Sequence, residues 1–143
     1  MRKRKENAGR NNQGLITVRH RGAGNKIHIR LVDFKQTDKM NIEGLVKTIE
    51  YDPNRNAFIM LVIYKDGEYR YHLAPEGSKV GDRILTAKRT KARVGNRMQL
   101  QHIPVGFKIH NVEVTIGKGG AMVRGAGTSA TLMSLEGTYA QMQ

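Results

Sequence analysis

Twelve residues from Gly117 to Thr128 hold five glycines, two cations and no acid, in the run Gly-Lys-Gly-Gly-Ala-Met-Val-Arg-Gly-Ala-Gly-Thr. Glycine lacks a Cβ, so it admits left-handed backbone and lets another backbone lie close. Cations set in such a segment suit an anion that rests against the main chain; the alternative is a flexible loop with two solvated charges. Arg124-Gly125-Ala126-Gly127 is echoed by Arg21-Gly22-Ala23-Gly24, which favours the anion site. Other chemistry finds little footing. A triphosphate-binding loop needs Gly-Lys followed by Ser or Thr at the start of a helix, and here Lys118 precedes Gly119. No strand–turn–helix unit carries a dinucleotide fingerprint. His20, His28, His72, His102 and His110 stand singly, without metal-ligand spacing backed by a carboxylate, and read as surface or phosphate-contacting residues. No serine or threonine has both a base and an orienting acid that the sequence nominates. The expectation is a protein that is not an enzyme and holds no cofactor or metal.

The cations carry the strongest signal. The formal net charge is +13, and its distribution is uneven. Residues 1–35 carry ten Lys and Arg against two acids, and residues 83–97 carry six against none, while residues 36–82 carry six against eight. Basic blocks around a near-neutral middle describe a folded module with cationic arms, and nucleic-acid phosphates are the polyanion such arms commonly meet. Neither block has the apolar spacing of a membrane-surface helix. Arg10, Arg19, Arg21, Lys26, Arg55, Lys118 and Arg124 each sit beside Gly, Asn or a turn, where backbone can approach phosphate too. Arginine's planar fork holds phosphate at two points. Lys88, Arg89, Lys91 and Arg93 form a further basic run around Gly95.

The elements that position these residues read as short strands. Residues 1–14 form a basic arm with only Ala8 apolar beyond Met1, predicted to be disordered until a partner supplies contacts. Leu15–His20 is β-branched and predicts a strand. Ile27, Ile29 and Leu31 alternate with His28 and Arg30, the period of a half-buried strand. Residues 42–51 predict another, closed by a turn at Asp52-Pro53-Asn54-Arg55. Ala57–Tyr64 is an apolar run suited to a central strand, and Asp66-Gly67 marks a hairpin. In the return strand Tyr69, Tyr71 and Leu73 are expected to face inward, with Glu68, Arg70 and His72 outward. Arg83–Leu85 is one more short strand, and 88–97 a basic linker before a boundary near residue 100. Beyond it, Phe107 and Ile109 share one parity and Val112, Val114 and Ile116 the other, so a bulge or bend lies between them. Ala130–Leu135, Glu136-Gly137 and Thr138-Tyr139 predict a hairpin. No ten-residue helix is expected, and no apolar run approaches the about 18 residues of a membrane span. Zero cysteines exclude disulfides.

Several of these stretches together resemble a known family: Gly9-Arg10-Asn11-Asn12-Gln13-Gly14, Ile16-Thr17-Val18-Arg19-His20-Arg21-Gly22, Glu50-Tyr51-Asp52-Pro53-Asn54-Arg55, Ile103-Pro104-Val105-Gly106, His110-Asn111 and Gly117-Lys118-Gly119-Gly120. They are similar, in register, to large-subunit ribosomal protein two. The resemblance implies an all-β chain: a five-stranded oligonucleotide-binding (OB) barrel over residues 15–99 with its basic linker, then the first part of an SH3-like barrel over 100–143. It implies a structural role that binds large-subunit rRNA among neighbouring ribosomal proteins, aids subunit association and supports the peptidyl-transferase region without catalysing. The implied RNA contacts are Arg10, Asn11, Asn12, Arg19, His20, Arg21, Lys26, Arg55, Lys118 and Arg124, joined by Lys88, Arg89, Lys91 and Arg93 of the basic run. Ala23 and Asn25 depart from the family's glycines and histidine, and Ala121-Met122-Val123-Arg124 keeps only the arginine of its usual pattern. Family members also continue further at the C-terminus. The expectation is therefore a split protein whose second barrel is completed by a complementary C-terminal chain. Such a split suggests a mitochondrial ribosome, with a plastid or the bacterial cytoplasm as alternatives. A different reading is an extraribosomal OB protein that binds single-stranded nucleic acid.

Overall fold

A computed structural model describes residues 7–22, 24, 25 and 27–143, together with the backbone of Arg2 and Lys3. The strands are β1 (Arg2–Lys3), β2 (His28–Ile29), β3 (Glu43–Glu50), β4 (Ile59–Tyr64), β5 (Tyr69–Leu73), β6 (Arg83–Leu85), β7 (Lys108–Ile109), β8 (Ala130–Glu136) and β9 (Tyr139–Met142). The only helical pieces among the described residues are single 3-10 turns at Thr37–Lys39 and Leu100–His102. No helix there is long and apolar enough to cross a membrane. The chain is all-β, as its short β-branched runs predict.

Its centre is an antiparallel sheet in the order β5-β4-β3-β6. β4 lies inside because Ile59-Met60-Leu61-Val62-Ile63-Tyr64 offers apolar groups to both faces. The turn at Asp66-Gly67 joins it to β5: Tyr64 N–H donates to Glu68 O at 3.0 Å, and Gly67 takes φ +83. Val46, Met60, Val62, Tyr64 and Ile84 form the core, with Ile42 and Ala74 packed against it. Gly44 is required there, since a Cβ would stand 2.5 Å from Val62 Cγ1. The sheet's two edges are reached by one segment: Val32 bridges Tyr71 beside β5, and Met40 bridges Thr86 just past β6. An irregular segment with a 3-10 turn thus runs between the two edges.

Several sequence expectations are corrected. Leu15–His20 forms no strand; Ile16 makes one bridge to Arg10, and Leu15, Ile16 and Val18 are exposed at 62%, 60% and 47%. With no sheet to cover them, β-branched residues do not make a strand by propensity alone. Only His28–Ile29 of the 27–31 alternation pairs, with Arg2–Lys3. Of the expected 1–14 arm, residues 7–14 are tied into hydrogen-bonded turns, and Met1 and residues 4–6 lie outside the described residues. In β5 the inward face is the reverse of the expected one at two positions: His72 is buried at 1%, and Tyr69 is 48% exposed. Val114 and Ile116 are exposed and form no strand.

His72 is buried because its polar atoms are all used. Gln36 Oε1 accepts from Thr86 Oγ1 at 2.8 Å, so the Gln36 amide nitrogen donates to His72 Nδ1 at 2.7 Å. Nδ1 is then the acceptor, and Nε2–H donates to Tyr64 Oη at 2.9 Å. Burial disfavours the imidazolium and pushes His72 down to about 4.

In the second part the chain bends at Asn111, where φ is +53, which meets the expectation of a break between Ile109 and Val112. β7, β8 and β9 form a three-stranded antiparallel sheet in that order. Leu132 is fully buried in it, and Gly106 N–H and Leu132 N–H hold the 104–107 turn onto β8 at 2.7 and 3.1 Å.

Candidate nucleic-acid interface

Among the described residues, the predicted contacts fall on three loops, apart from Arg55 in the Asp52–Arg55 turn. The first, residues 7–22, is built by its own backbone. Gly9 O accepts from Thr17 N–H at 2.9 Å and Val18 N–H at 3.1 Å. A Cβ on Gly9 would stand 2.0 Å from Val18 O, so only glycine closes this contact. Asn11 Oδ1 accepts from Gln13 N–H and Leu15 N–H, both at 3.0 Å. That side chain shapes the loop, so its carbonyl is spoken for. Ala8 and His20 hold left-handed backbone at φ +46 and +58, a conformation non-glycine residues keep only where surroundings enforce it. The result groups Arg10, His20 and Arg21 around one open cleft, with Asn12 and Arg19 exposed elsewhere on the loop. Lys26 lies outside the described residues.

The second loop is the basic run, and it is not a loose linker. Arg97 N–H donates to Leu85 O, and Ala87 N–H donates back to Arg97 O, both at 3.0 Å. Asn96 closes the interior: its Oδ1 accepts from Leu85 N–H at 2.9 Å and its Nδ2 donates to Lys91 O at 2.9 Å. Gly95 at φ +87 packs on Ile84, where a Cβ would come within 2.7 Å. Lys88, Arg89, Lys91 and Arg93 are all exposed on the rim.

The third loop is the glycine-dense stretch, and Gly119 and Gly120 within it serve the protein itself. Gly120 N–H donates to Phe34 O at 2.9 Å, and a Cβ on Gly119 would lie 2.9 Å from that same oxygen. Gly119 and Gly120 are both buried. Gly119 N–H donates to Glu113 Oε1 at 2.8 Å, while Glu113 Oε2 pairs with Arg97 at 3.2 Å. A carboxylate of the chain already takes an N–H that an external anion was expected to use. Arg124 stacks over the Phe34 ring at 4.8 Å and Arg55 at 5.8 Å, within cation–π range. Lys118 remains exposed.

Electrostatics separates these cations from the others. Arg70 is paired with Asp33, Asp38 and Glu68, and Lys39 with Asp66 and Glu68. Hydrogen bonds to Asp38, and then to Asp33 and Glu68, outweigh desolvation and raise Arg70 above its ordinary value. Lys65 and Arg83 share Glu43. Of the predicted contacts among the described residues, Arg55 is the one with a carboxylate partner: fully buried Asp52, 2.7 Å away. Burial alone would raise the Asp52 carboxyl, but bonds from Asn54 and the charge of Arg55 hold it below its ordinary value. The signal for this pair was the three-residue spacing inside the Asp52–Arg55 turn. Phe34, Asn96 and Glu113 carried no such local signal, since each acts on a partner distant in sequence. No cluster of His, Cys, Asp or Glu among the described residues could hold a metal ion.

What remains is a set of acid-free, backbone-braced loops with free cations on a small β-scaffold. Two family models match the chain: Ribosomal Proteins L2, RNA binding N-terminal domain, over residues 1–86, and Ribosomal Proteins L2, C-terminal domain, over residues 93–143. The chain belongs to the ribosomal protein L2 family, and is by that membership a structural, RNA-binding protein of the large ribosomal subunit.

Proposed function

We propose that the 7–22 loop, the 88–97 loop and the exposed ends of the 117–128 loop, Lys118 and Arg124, are the surface that grips large-subunit rRNA. Through it the chain braces the peptidyl-transferase region and aids subunit association, supplying no catalytic group. Arg10, Asn12, Arg19, His20, Arg21, Lys88, Arg89, Lys91, Arg93, Lys118 and Arg124 make the contacts, Asn11 shapes its loop, and Arg55 contributes from its pair with Asp52. The carrying observation is the sorting of charge: Asp38, Glu43, Asp66 and Glu68 of the middle region are paired with Arg70, Lys65, Arg83 and Lys39, while the proposed contact cations other than Arg55 have no acid partner among the described residues. Free cations release counterions on meeting phosphate, whereas paired ones must first lose their partners. In this reading the four-stranded module is an OB-type barrel and residues 100–143 are part of an SH3-like barrel. Exposed Phe107, Val114, Ile116, Met133 and Tyr139 support a further polypeptide covering that second sheet.

Sedimentation of the chain in its cell extract tests the role. It should stay in the large-subunit peak after a high-salt wash; a free, slowly sedimenting pool would instead support a single-strand binder outside the ribosome. That second reading has one observation in its favour: Tyr51, Phe58 and Tyr69 are exposed at 68%, 58% and 48%, and bases stack on such rings.

A further inference from the structure

The cleft in the 7–22 loop has an uncovered apolar floor that phosphate contacts do not explain. Its volume is about 410 Å³, and it is lined by an apolar set, Ala8, Ile16 and Val18 (the floor), together with Arg10, His20, Arg21 and Gly22. Nothing in the described chain covers Ile16 or Val18, at 60% and 47% exposure. The bridge between Arg10 and Ile16 sets cation and floor side by side, and the two bonds to Gly9 O hold Val18 in place. The cleft is therefore formed before any partner arrives.

We infer that this cleft captures a single unpaired nucleotide of rRNA, its base on Ile16 and Val18 and its phosphate on Arg10 and Arg21. The inference rests on the rRNA-binding reading above and adds the kind of RNA structure the loop selects. Three points lead to it. Among the described residues no acid lines the cleft, and two arginines do, so the occupant is anionic. The floor is aliphatic, so the occupant also offers an apolar face, which inorganic phosphate does not. In a duplex the base faces are stacked on one another; only a nucleotide out of the stack presents one. The volume fits an organic ligand, at the lower end of the roughly 300–1,000 Å³ of small-molecule sites. The left-handed backbone at Ala8 and His20 fixes the walls, so little ordering remains for the binding step.

The test uses the full chain, an in-vitro transcript of large-subunit rRNA, and filter binding over a range of salt. The substitutions fall on exposed side chains, and circular dichroism melts confirm that folding is kept. Ile16→Ser with Val18→Ser should weaken binding about tenfold at every salt concentration, the scale of one lost base contact. The slope of log affinity against log salt should not change. Arg10→Gln with Arg21→Gln should instead flatten that slope by about 1 to 2. In chemical probing, one unpaired nucleotide should be protected by the wild type and become reactive again with the Ile16/Val18 variant. Unchanged affinity of that variant, or an equal loss on a fully paired RNA duplex, overturns the inference and leaves the rRNA reading standing. Cleft-dependent binding to vesicles containing anionic phospholipid, with none to the transcript, overturns it in favour of a lipid. Failure of the wild type to bind the transcript removes the rRNA reading and this inference with it.

Discussion

Gly120 has a neighbour where its side chain would be. A Cβ there would stand 2.0 Å from Asn111 Oδ1 and 2.7 Å from Asn111 O, and Asn111 is fixed by its N–H bond to Val123 O at 2.8 Å. Gly120→Ala is expected to destabilise the protein by about 2 kcal/mol or more, from overpacking with no room to relax. Gly117→Ala meets nothing within 4 Å and costs only its left-handed φ of +81, about 1 kcal/mol. Urea midpoints of the two variants should rank in that order. The density of glycine was legible in the sequence; the requirement for Gly119 and Gly120 was not, because Phe34 and Asn111 are what they touch. His72 teaches the same lesson through charge. Its folded-state value is depressed to about 4 against an ordinary 6.5, so the unfolded chain takes up the proton first. Stability is unaffected above pH 6.5 and falls as pH drops from there to about 4, by up to about 3 kcal/mol. His72→Gln should lower stability at pH 7 and flatten this fall, as read from urea midpoints across the window.

At the scale of elements, the β4–β5 hairpin was readable because its signals are local: an apolar run, Asp-Gly, then alternation. The 88–97 loop was misread as a linker because its order comes from Asn96, which joins Leu85 to Lys91 across the loop. Asn96→Ala leaves the Leu85 N–H without its partner and is expected to cost about 1 to 3 kcal/mol. Amide exchange at Leu85 and through residues 88–97 should accelerate, while β4 stays protected. The two halves of the chain are joined by a contact no local pattern announces, Arg124 against Phe34, with Arg55 of the first half near the same ring. Phe34→Leu keeps an apolar group and removes the ring face, for an expected loss of about 1 kcal/mol. Faster exchange of the Gly120 amide, with β3 and β4 unchanged, is the measurement that checks it.

For the whole molecule, the prediction concerns salt. Neutralising Lys88, Arg89, Lys91 and Arg93 together to Gln should reduce the slope of log affinity for rRNA against log salt by about 3 to 4, if each faces a phosphate. The same change at Lys39, Lys65 and Arg83 should alter it far less, because their charges are already balanced by Asp66, Glu68 and Glu43. Filter binding from low to physiological salt distinguishes the two sets. Composition and short-range pattern were enough for the all-β class, the central hairpin, the two basic blocks and the family resemblance. These depend on neighbours a few residues apart or on totals. Which cations stay free, which glycines are obligatory and which face of β5 is buried depended on partners far off in the chain. Asp33 reaches Arg70, Gln36 reaches His72 and Phe34 reaches Gly120 only once the sheet has closed, and side-chain pairing and close packing are settled by that proximity.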